Sequence, residues 1–560
     1  MAKTAGIDRA LGWLNHCALH HPLCANTIPI PLPKRVLDVA SRDEPFLLET
    51  NGDSGDYIAL SYCWGLVRNV DMMTIGSNSK GRRGAPDPKP NIEKHKIQIA
   101  FVTMPKTIQD AVIVCRKLGI KYLWVDTFCI VQGDDEEWMA EHPRMATIYA
   151  NAKLVIAASS AAASDSGFLN VNSEVLMPTA EVYLRDSCIR VTTNTCPRHG
   201  TKTTNHSHNL SPLLWDEPLN RRAWTLSEAI FSNRVLHFTS SEMVWECNHA
   251  RIHETGCSWV FPNVPGDEDD TFRVFRSPTI AQRYTRGAMY RKWRSLIEHF
   301  SARQINSSPK QTDKDSLRLV ALARLARRFS QMLESSFDLS DVYLSGIWKG
   351  DLVQSLLWSV ERGAPLLLTK FYLPQHSSLG WRRPEPQRGP SWSWVSVEGP
   401  VYFESWLWFR QDFTVIDATV QHHDSREIFG QVKSGVLVAY GQVAHGLKIQ
   451  SGISQAPGSL AGHCYRMRSH TADSSCVFIC DVPLRSVSGG PEFSCLYLGH
   501  GVRENPSSDG DSTIHVFMLL RRINEKDGTF ERIGISSLLT DGVETCHLLK
   551  CATKLRVMIV

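Results

Sequence analysis

Residues 51–250 alternate short apolar runs with segments of helical spacing, and this alternation constrains the fold more than any other feature of the chain. Three runs predict buried strands: YIALSY (57–62), YLWVD (122–126) and LVIAA (154–158). Between them, apolar spacing and end signals predict helices over 107–119 and 138–151. A helix over 223–233 and a strand over 234–238 follow. This order is typical of a parallel sheet with right-handed crossovers, and therefore of an α/β fold.

Changes in composition divide the 560 residues into four regions. We predict a Cys/His-containing lead-in over 1–50, an α/β domain over 51–250, a helical connecting region over 251–390 and a β-rich C-terminal domain over 391–560. In the last region, short strand-like segments separated by Gly, Ser and Asp indicate a β-sandwich or a barrel-like unit. Such a unit more often recognises a ligand or shields a neighbouring surface than carries a catalytic site.

Charge and hydropathy exclude several classes of protein. Lys and Arg number 61 against 57 Asp and Glu, a balance that does not favour a nucleic-acid-binding surface. The sequence contains no run of eighteen apolar residues, so it predicts no membrane-spanning helix. The first residues lack the apolar core of a signal peptide. Fifteen cysteines without an export signal indicate a reducing compartment, so we expect a cytoplasmic protein.

Three blocks of the chain together resemble the fungal heterokaryon-incompatibility (HET) domain. The blocks are YIALSYCWG (57–65), the stretch from MPKTIQDAVIVCRKLGIKYLWVDTFCIVQ through EEWMAEHPRMATIYANAKLVIAAS, and NRRAWTLSEAIFSNRVLHFTSSEMVWEC (220–247). Their order and spacing are those of the family. Two departures lie near the third and second blocks: IFSNRV lacks a second Arg before the strand, and QGDDEEW lacks an Asp directly after the Gln.

The resemblance implies a role in the cell death that follows fusion of genetically different hyphae. It also implies a fold similar to the Toll/interleukin receptor (TIR) domain, a flavodoxin-like doubly wound parallel sheet. Some TIR proteins cleave NAD at the nicotinamide glycosidic bond, using a Glu in a W-x-x-x-E-like segment. Trp224 to Glu228 has that form, so the resemblance makes Glu228 a candidate catalytic residue and NAD a candidate substrate. No cofactor is predicted with certainty.

The ends of the predicted strands supply further candidates. Asp126 ends one strand-like run, and Ser61 and Tyr62 end another. Ligands of open α/β sheets lie outside the carboxyl ends of the strands, so we predict a shared crevice with Asp126 as a second catalytic candidate. Candidate substrate-binding residues there are Ser61, Tyr62, Trp64 and Trp224.

Each candidate also has a structural explanation. Glu228 would be a first-turn helix residue near the positive end of the helix dipole. Asp126 would anchor the loop after its strand, Ser61 would be a satisfied polar residue, and Trp64 would pack in a turn with Gly65.

Two groups of Cys and His could supply ligands to tetrahedral zinc. The first is Cys17, His20, His21 and Cys24, and the second is Cys247, His249, His253 and Cys257. Neither group has the spacing of a common zinc finger, and buried Cys and His near helix ends are frequent, so we predict no structural zinc and no other metal site. A pair of Cys129 and His237 as nucleophile and base has no local sequence signature.

Three functional hypotheses remain open from the sequence. The first is an effector of incompatibility and regulated cell death, with protein partners or self-association and with NAD glycohydrolase activity if it is an enzyme. The second is a non-catalytic interaction or scaffold module. The third is an enzyme or accessory protein of fungal secondary metabolism, suggested by the large region that follows the α/β domain.

Overall fold

The structure is a computed structural model that divides into two compact units, the first ending at Tyr284 and the second running from Thr285 to Val560. It describes residues 2–24, 29–65, 73–80, 87–169, 179–184, 187–192, 217–256, 258–261, 271–305, 317–360, 382–384, 387–452, 464–469, 475–481, 492–503, 513–524, 528–539 and 545–560. Within these residues, no helix has the length and apolar character needed to cross a membrane.

The first unit is built on a nine-stranded mixed sheet. Its strands are β1 (Arg35–Asp38), β2 (Phe46–Glu49), β3 (Tyr57–Ser61), β4 (Tyr122–Trp124), β5 (Leu154–Ala157), β8 (Arg234–Phe238), β9 (Met243–Cys247), β10 (Ala250–His253) and β11 (Ser258–Val260). Their order is β11-β10-β9-β8-β5-β3-β4-β1-β2. The four central strands β4, β3, β5 and β8 are parallel, and the outer pairings are antiparallel. A separate hairpin joins β6 (Thr179–Leu184) to β7 (Ser187–Thr192).

Helices connect the strands of this unit. They are α1 (Ala2–His20), α2 (Ile92–Ile97), α3 (Lys106–Lys117), α4 (Asp126–Cys129), α5 (Asp135–Glu141), α6 (Met145–Asn151), α7 (Ala223–Phe231), α8 (Thr271–Arg276) and α9 (Pro278–Ala281). Short 3-10 turns occur at Pro22–Cys24, Phe101–Thr103 and Pro218–Arg221.

The sequence predicted the parallel core and its helices but not the whole sheet. The mixed α/β character is confirmed, and β3, β4, β5 and β8 begin at the predicted residues. The purely parallel sheet is wrong, because five antiparallel strands extend the core on its two sides. The single helix expected over 138–151 is two helices, α5 and α6, separated around Pro143, whose ring disfavours a continuous helix.

The second unit begins with two long helices, α10 (Arg286–Ser301) and α11 (Leu317–Phe337). A tight hairpin of β12 (Tyr343–Leu344) and β13 (Ile347–Trp348) follows, and its turn at Gly346 has a φ of 96°. The Gly346 carbonyl oxygen accepts hydrogen bonds from the indole nitrogens of Trp293 and Trp394 at 3.1 and 3.2 Å. Buried aromatic rings from α10, α11 and the hairpin therefore pack around one backbone turn.

The C-terminal part of this unit contains a β-barrel. The strands of this C-terminal part are β14 (Trp358–Ser359), β15 (Tyr402–Phe403), β16 (Trp406–Gln411), β17 (Thr414–His422), β18 (Val432–Gly452), β19 (Cys464–Ser469), β20 (Ser475–Cys480), β21 (Phe493–Arg503), β22 (Ile514–Asn524), β23 (Thr529–Leu539) and β24 (Thr553–Ile559). Its helices are α12 (Leu352–Ser355) and α13 (Thr545–Lys550), and 3-10 turns occur at Lys349–Asp351 and Trp394–Ser396. Strands β18, β19, β20, β23, β22 and β21 close the barrel, because β18 pairs with both β19 and β21. The β-rich C-terminal region predicted from the sequence is therefore confirmed.

Arg532 on β23 is a buried cation that ties the barrel to the segment before it. Its guanidinium donates to the carbonyl oxygens of Leu356 and Trp358 at 2.7 and 2.5 Å and lies over the Trp358 ring. The Asp481 carboxylate neutralises its charge, with Nε and Oδ2 3.2 Å apart. Burial lowers the pKa of Arg532, so the charged form of its guanidinium depends on the Asp481 carboxylate.

We expect Arg532→Leu to lower the free energy of unfolding of the second unit by about 3 kcal/mol or more, because it leaves the Asp481 carboxylate buried without its main partner. Urea unfolding followed by hydrogen exchange of barrel peptides measures the change. The matched control is Arg521→Leu, which removes a half-exposed ion pair with Glu531 and should cost less than about 1 kcal/mol. If Arg532→Leu/Asp481→Leu is no more stable than the single variant, the charge explanation is contradicted.

Candidate functional site

The hydroxyl of Ser61 and the carboxylate of Glu228 are joined in the first unit. Ser61 is the last residue of β3, and its Oγ donates to Glu228 Oε2 at 2.5 Å. Both side chains are buried, with 4% and 9% exposure. The hydrogen bond connects the carboxyl end of the central strand to the middle of α7, two elements 167 residues apart in the chain.

Glu228 is not a first-turn helix residue. Helix α7 begins at Ala223, so Glu228 lies in its second turn, and its backbone oxygen accepts from Ser232 Oγ at 2.5 Å. The positive end of the helix dipole acts within the first turn, so it does not explain the burial of this carboxylate. That structural explanation was therefore wrong, and the hydrogen bond with Ser61 replaces it.

Asp126 follows β4 at the same edge of the sheet and is held by three donors. Its Oδ2 accepts from the indole nitrogen of Trp64 at 2.9 Å, and its Oδ1 accepts from the backbone nitrogen and hydroxyl of Thr127 at 2.7 and 3.2 Å. Burial raises the pKa of Asp126, while the Trp64 hydrogen bond and the charge of Arg222 act to lower it. The carboxylate therefore anchors the start of α4 and also has a perturbed proton affinity.

Arg222 is the cation nearest to Tyr62 and Asp126 for which the structure gives an interaction. Its Nη1 donates to the backbone oxygen of Tyr62 at 2.7 Å, and its charge acts on Asp126 and on the Cys63 thiol. Burial and the charge of Glu228 raise the pKa of the Cys63 thiol. Arg222 is thus a cation within the electrostatic reach of this group of residues.

Tyr62 lies on the inner side of this group. Its hydroxyl and that of Thr127 form a hydrogen bond, and burial raises the pKa of Tyr62 well above its usual range, with the charge of Asp126 adding to the effect. At neutral pH this phenol stays protonated. It acts as a neutral hydrogen-bonding group beside Asp126.

The two predicted tryptophans differ in what they contact. Trp64 and Trp224 are both partly exposed, whereas Ser61, Tyr62 and Glu228 are buried. Trp224 contacts the His142 ring edge to face, with ring centroids 5.6 Å apart. Trp64 therefore exposes part of its ring while its indole nitrogen binds Asp126, and Trp224 exposes part of its ring beside His142.

Sequence reasoning predicted that these positions converge but missed two participants. Arg222 stands in the NRRAW segment that was quoted only for its resemblance, and Thr127 directly follows Asp126. The candidates predicted from the sequence were carboxylates, Ser, Tyr, Trp, Cys and His residues, and they included neither an arginine nor a threonine. The need of Glu228 and the partly exposed Asp126 for a balancing cation is the signal that points to Arg222.

The two Cys/His groups do not stay separate. Cys17, His21 and Cys24 of the first group and Cys247 of the second place their ligand atoms within 4.8 Å of one another. His20 is exposed, and the Nδ1 of His253 lies 2.8 Å from a carboxylate oxygen of Glu242. Cys257 lies outside the described residues.

The Cys129 thiol does not fit a nucleophile. It is buried, and burial raises its pKa to about 12, which disfavours the reactive thiolate at neutral pH. The His237 ring nitrogen Nδ1 lies 3.4 Å from the hydroxyl of Ser159. These contacts give no support to a Cys/His pair.

The comparisons with known proteins bear on the same segment. Residues 57–228 match the family model described as Heterokaryon incompatibility protein (HET). The chain contains a HET domain. The match begins at the first residue of β3 and ends at Glu228, so the HET domain includes Ser61, Asp126, Arg222 and Glu228. No curated protein and no solved structure matches the chain.

His237, on β8 just beyond the matched segment, makes the stability of the first unit depend on pH. Burial lowers the pKa of His237 to about 4, from a usual value near 6.5. The His237 side chain therefore takes up a proton more readily in the unfolded chain than in the folded chain. The contribution of His237 to stability is full above pH 6.5 and is lost as the pH falls toward 4.

We expect His237→Gln to reduce the acid destabilisation of the first unit between pH 7 and 4 by about 2 to 3 kcal/mol, because glutamine takes up no proton. Hydrogen exchange of peptides from the first sheet, measured across this pH range, reports the change. The control His423→Gln replaces an exposed histidine of the second unit and should leave the first-sheet profile as it is. Equal slopes for His237→Gln and the unchanged chain would contradict the assignment.

Proposed function

We propose that the HET domain is an NAD glycohydrolase that acts in heterokaryon incompatibility, with Glu228 as its central catalytic residue. The observation that carries the proposal is the buried Glu228 carboxylate held by Ser61 at the carboxyl end of β3. In this proposal the sheet is TIR-like. Its parallel strand order β4-β3-β5-β8 supports that view. The order of the strands reverses between β3 and β5, because β4 lies on one side of β3 and β5 on the other, and ligands of open α/β sheets bind at such a reversal of strand order.

The proposed reaction breaks the bond between ribose C1′ and the nicotinamide nitrogen. The bonding electrons neutralise the positively charged nicotinamide ring, so the leaving group needs no proton. A water molecule adds to C1′ and gives ADP-ribose, nicotinamide and a proton. The Glu228 carboxylate stabilises the oxocarbenium-like transition state, and the hydrogen bond from Ser61 orients it.

The neighbouring residues have roles that fit this substrate. The cation of Arg222 suits the pyrophosphate, and the partly exposed rings of Trp64 and Trp224 suit the flat bases. Asp126, whose pKa is raised by burial, is a suitable acceptor for the proton released by water. Tyr62 donates or accepts a hydrogen bond without a change in charge.

A second candidate function is supported by the same hydrogen bond. The Ser61–Glu228 contact links β3 to α7, and Asp126 anchors α4, so each carboxylate also stabilises the fold. A HET domain that acts only as an interaction module, through a protein partner or self-association, would need these contacts without any chemistry. We propose that assembly also triggers the enzymatic form, which acts on the cytoplasmic NAD pool.

We expect the purified full chain to release nicotinamide and ADP-ribose from NAD under conditions that promote self-association, and Glu228→Gln to lower the rate by about 100-fold or more. Chromatographic separation of the products measures both. Glu217→Gln is the matched control: it changes another buried glutamate, whose Oε1 accepts from Ser240, and should leave the rate within about twofold of the original.

Thermal unfolding of Glu228→Gln shows separately whether the variant still folds. Absence of nicotinamide release by the folded full chain would overturn the enzymatic proposal. If toxicity on overexpression persists in Glu228→Gln, the interaction module is the better account.

A further inference from the structure

Four potential metal ligands from two distant parts of the chain meet in the first unit. The ligand atoms of Cys17, His21, Cys24 and Cys247 all lie within 4.8 Å of one another. The three cysteines are at most 1% exposed and His21 is 6% exposed. All three are free thiols. Four buried donors around one point have the composition of a structural zinc site of the Cys₃His type.

The local backbone explains how the first three ligands converge. Cys17 lies in the last turn of α1, and the backbone nitrogen of His21 donates to the Cys17 oxygen at 3.1 Å, so both side chains lie on one face of a helical turn. The chain then forms the 3-10 turn Pro22–Cys24, in which the Cys24 nitrogen donates to the His21 oxygen at 2.9 Å. The end of α1 thus presents three donors in eight residues.

The fourth ligand comes from the sheet. Cys247 is the last residue of β9, and its Sγ lies 3.5 Å from Nδ1 of His21. With metal–sulfur bonds of about 2.3 Å and metal–nitrogen bonds of about 2.0 Å, a tetrahedral ion holds such a pair of ligands about 3.5 Å apart. Cys247 and His21 therefore already have the separation of two ligands of one tetrahedral Zn²⁺.

The surroundings are those of a metal-bound thiolate. The backbone nitrogens of His249 and Ala250 both point at Cys247 Sγ from 3.4 Å, and Nε of Arg234 lies 3.3 Å from Cys17 Sγ. Three thiolates around Zn²⁺ leave one net negative charge, which the Arg234 guanidinium neutralises. Arg234 also donates to the Cys24 oxygen at 2.6 Å and so fixes the turn that presents this ligand.

We propose that Cys17, His21, Cys24 and Cys247 bind one structural Zn²⁺ that fastens α1 to the end of strand β9. Cys247 lies 19 residues beyond the matched HET segment and Cys17 lies 40 residues before it, since the match spans 57–228. The metal would therefore join the flanks of the HET domain to each other. This site is independent of the proposed NAD chemistry, because none of its ligands belongs to the group around Glu228.

The full chain, purified under reducing conditions without chelator, is expected to contain about one zinc per molecule by mass spectrometry of the metal. Replacement by Co²⁺ should produce the intense visible bands of a tetrahedral cobalt–thiolate site. Cys247→Ala and Cys24→Ala should lose most of the zinc and these bands. The matched control Cys115→Ala removes another buried thiol, on α3, and should keep both.

A further variant separates metal loss from misfolding. His21→Cys keeps four ligands and should retain the metal, with the cobalt charge-transfer band strengthened by the added thiolate. Absence of zinc together with absence of cobalt bands in the unchanged chain would overturn the proposal. So would a full zinc content in folded Cys247→Ala, or a disulfide among the three cysteines in the freshly isolated chain.

Discussion

The placement of β3 in the middle of the parallel core is the constraint on which the first unit depends. All five of its residues are buried, and it pairs with β4 on one side and β5 on the other. Its carboxyl end leads directly into Ser61, Tyr62 and Trp64, which contact Glu228, Thr127 and Asp126 respectively. The position of the candidate site therefore follows from the burial of one strand.

Apolar runs made this core predictable, because a strand covered on both faces needs an uninterrupted apolar sequence. The edge strands lacked that signal. β10 carries Arg251, whose buried guanidinium donates two hydrogen bonds to the Glu246 carboxylate on β9. A charged residue in a strand predicts exposure unless its partner is known, and the partner becomes known only when the strands are paired. The barrel closure likewise depends on β18 pairing with strands on two sides.

The same reason explains what could be predicted of the sites. Ser61 and Asp126 were predicted because they end or follow apolar strand-like runs, and Glu228 because the segment from Trp224 to Glu228 has the W-x-x-x-E form. The residues of the proposed zinc site were grouped by nearness in sequence, which placed His20 with Cys17 and His253 with Cys247. Helical geometry selects His21 instead, four residues after Cys17, and the second group contributes Cys247, the last residue of β9. Ligand sets that combine distant segments are determined by packing and not by spacing.

Two acids of the first unit, the buried Glu246 and the partly exposed Asp126, show how charge compensation separates structure from chemistry. Glu246 accepts hydrogen bonds from Arg251 and Arg276, and these cations lower its pKa despite burial. Such a carboxylate is committed to its ion pairs and stays charged. Asp126 has only partial compensation from Trp64 and Arg222, so burial raises its pKa instead. An under-compensated carboxylate at the carboxyl end of a parallel strand costs stability, and that cost is typical of residues kept for binding or proton transfer.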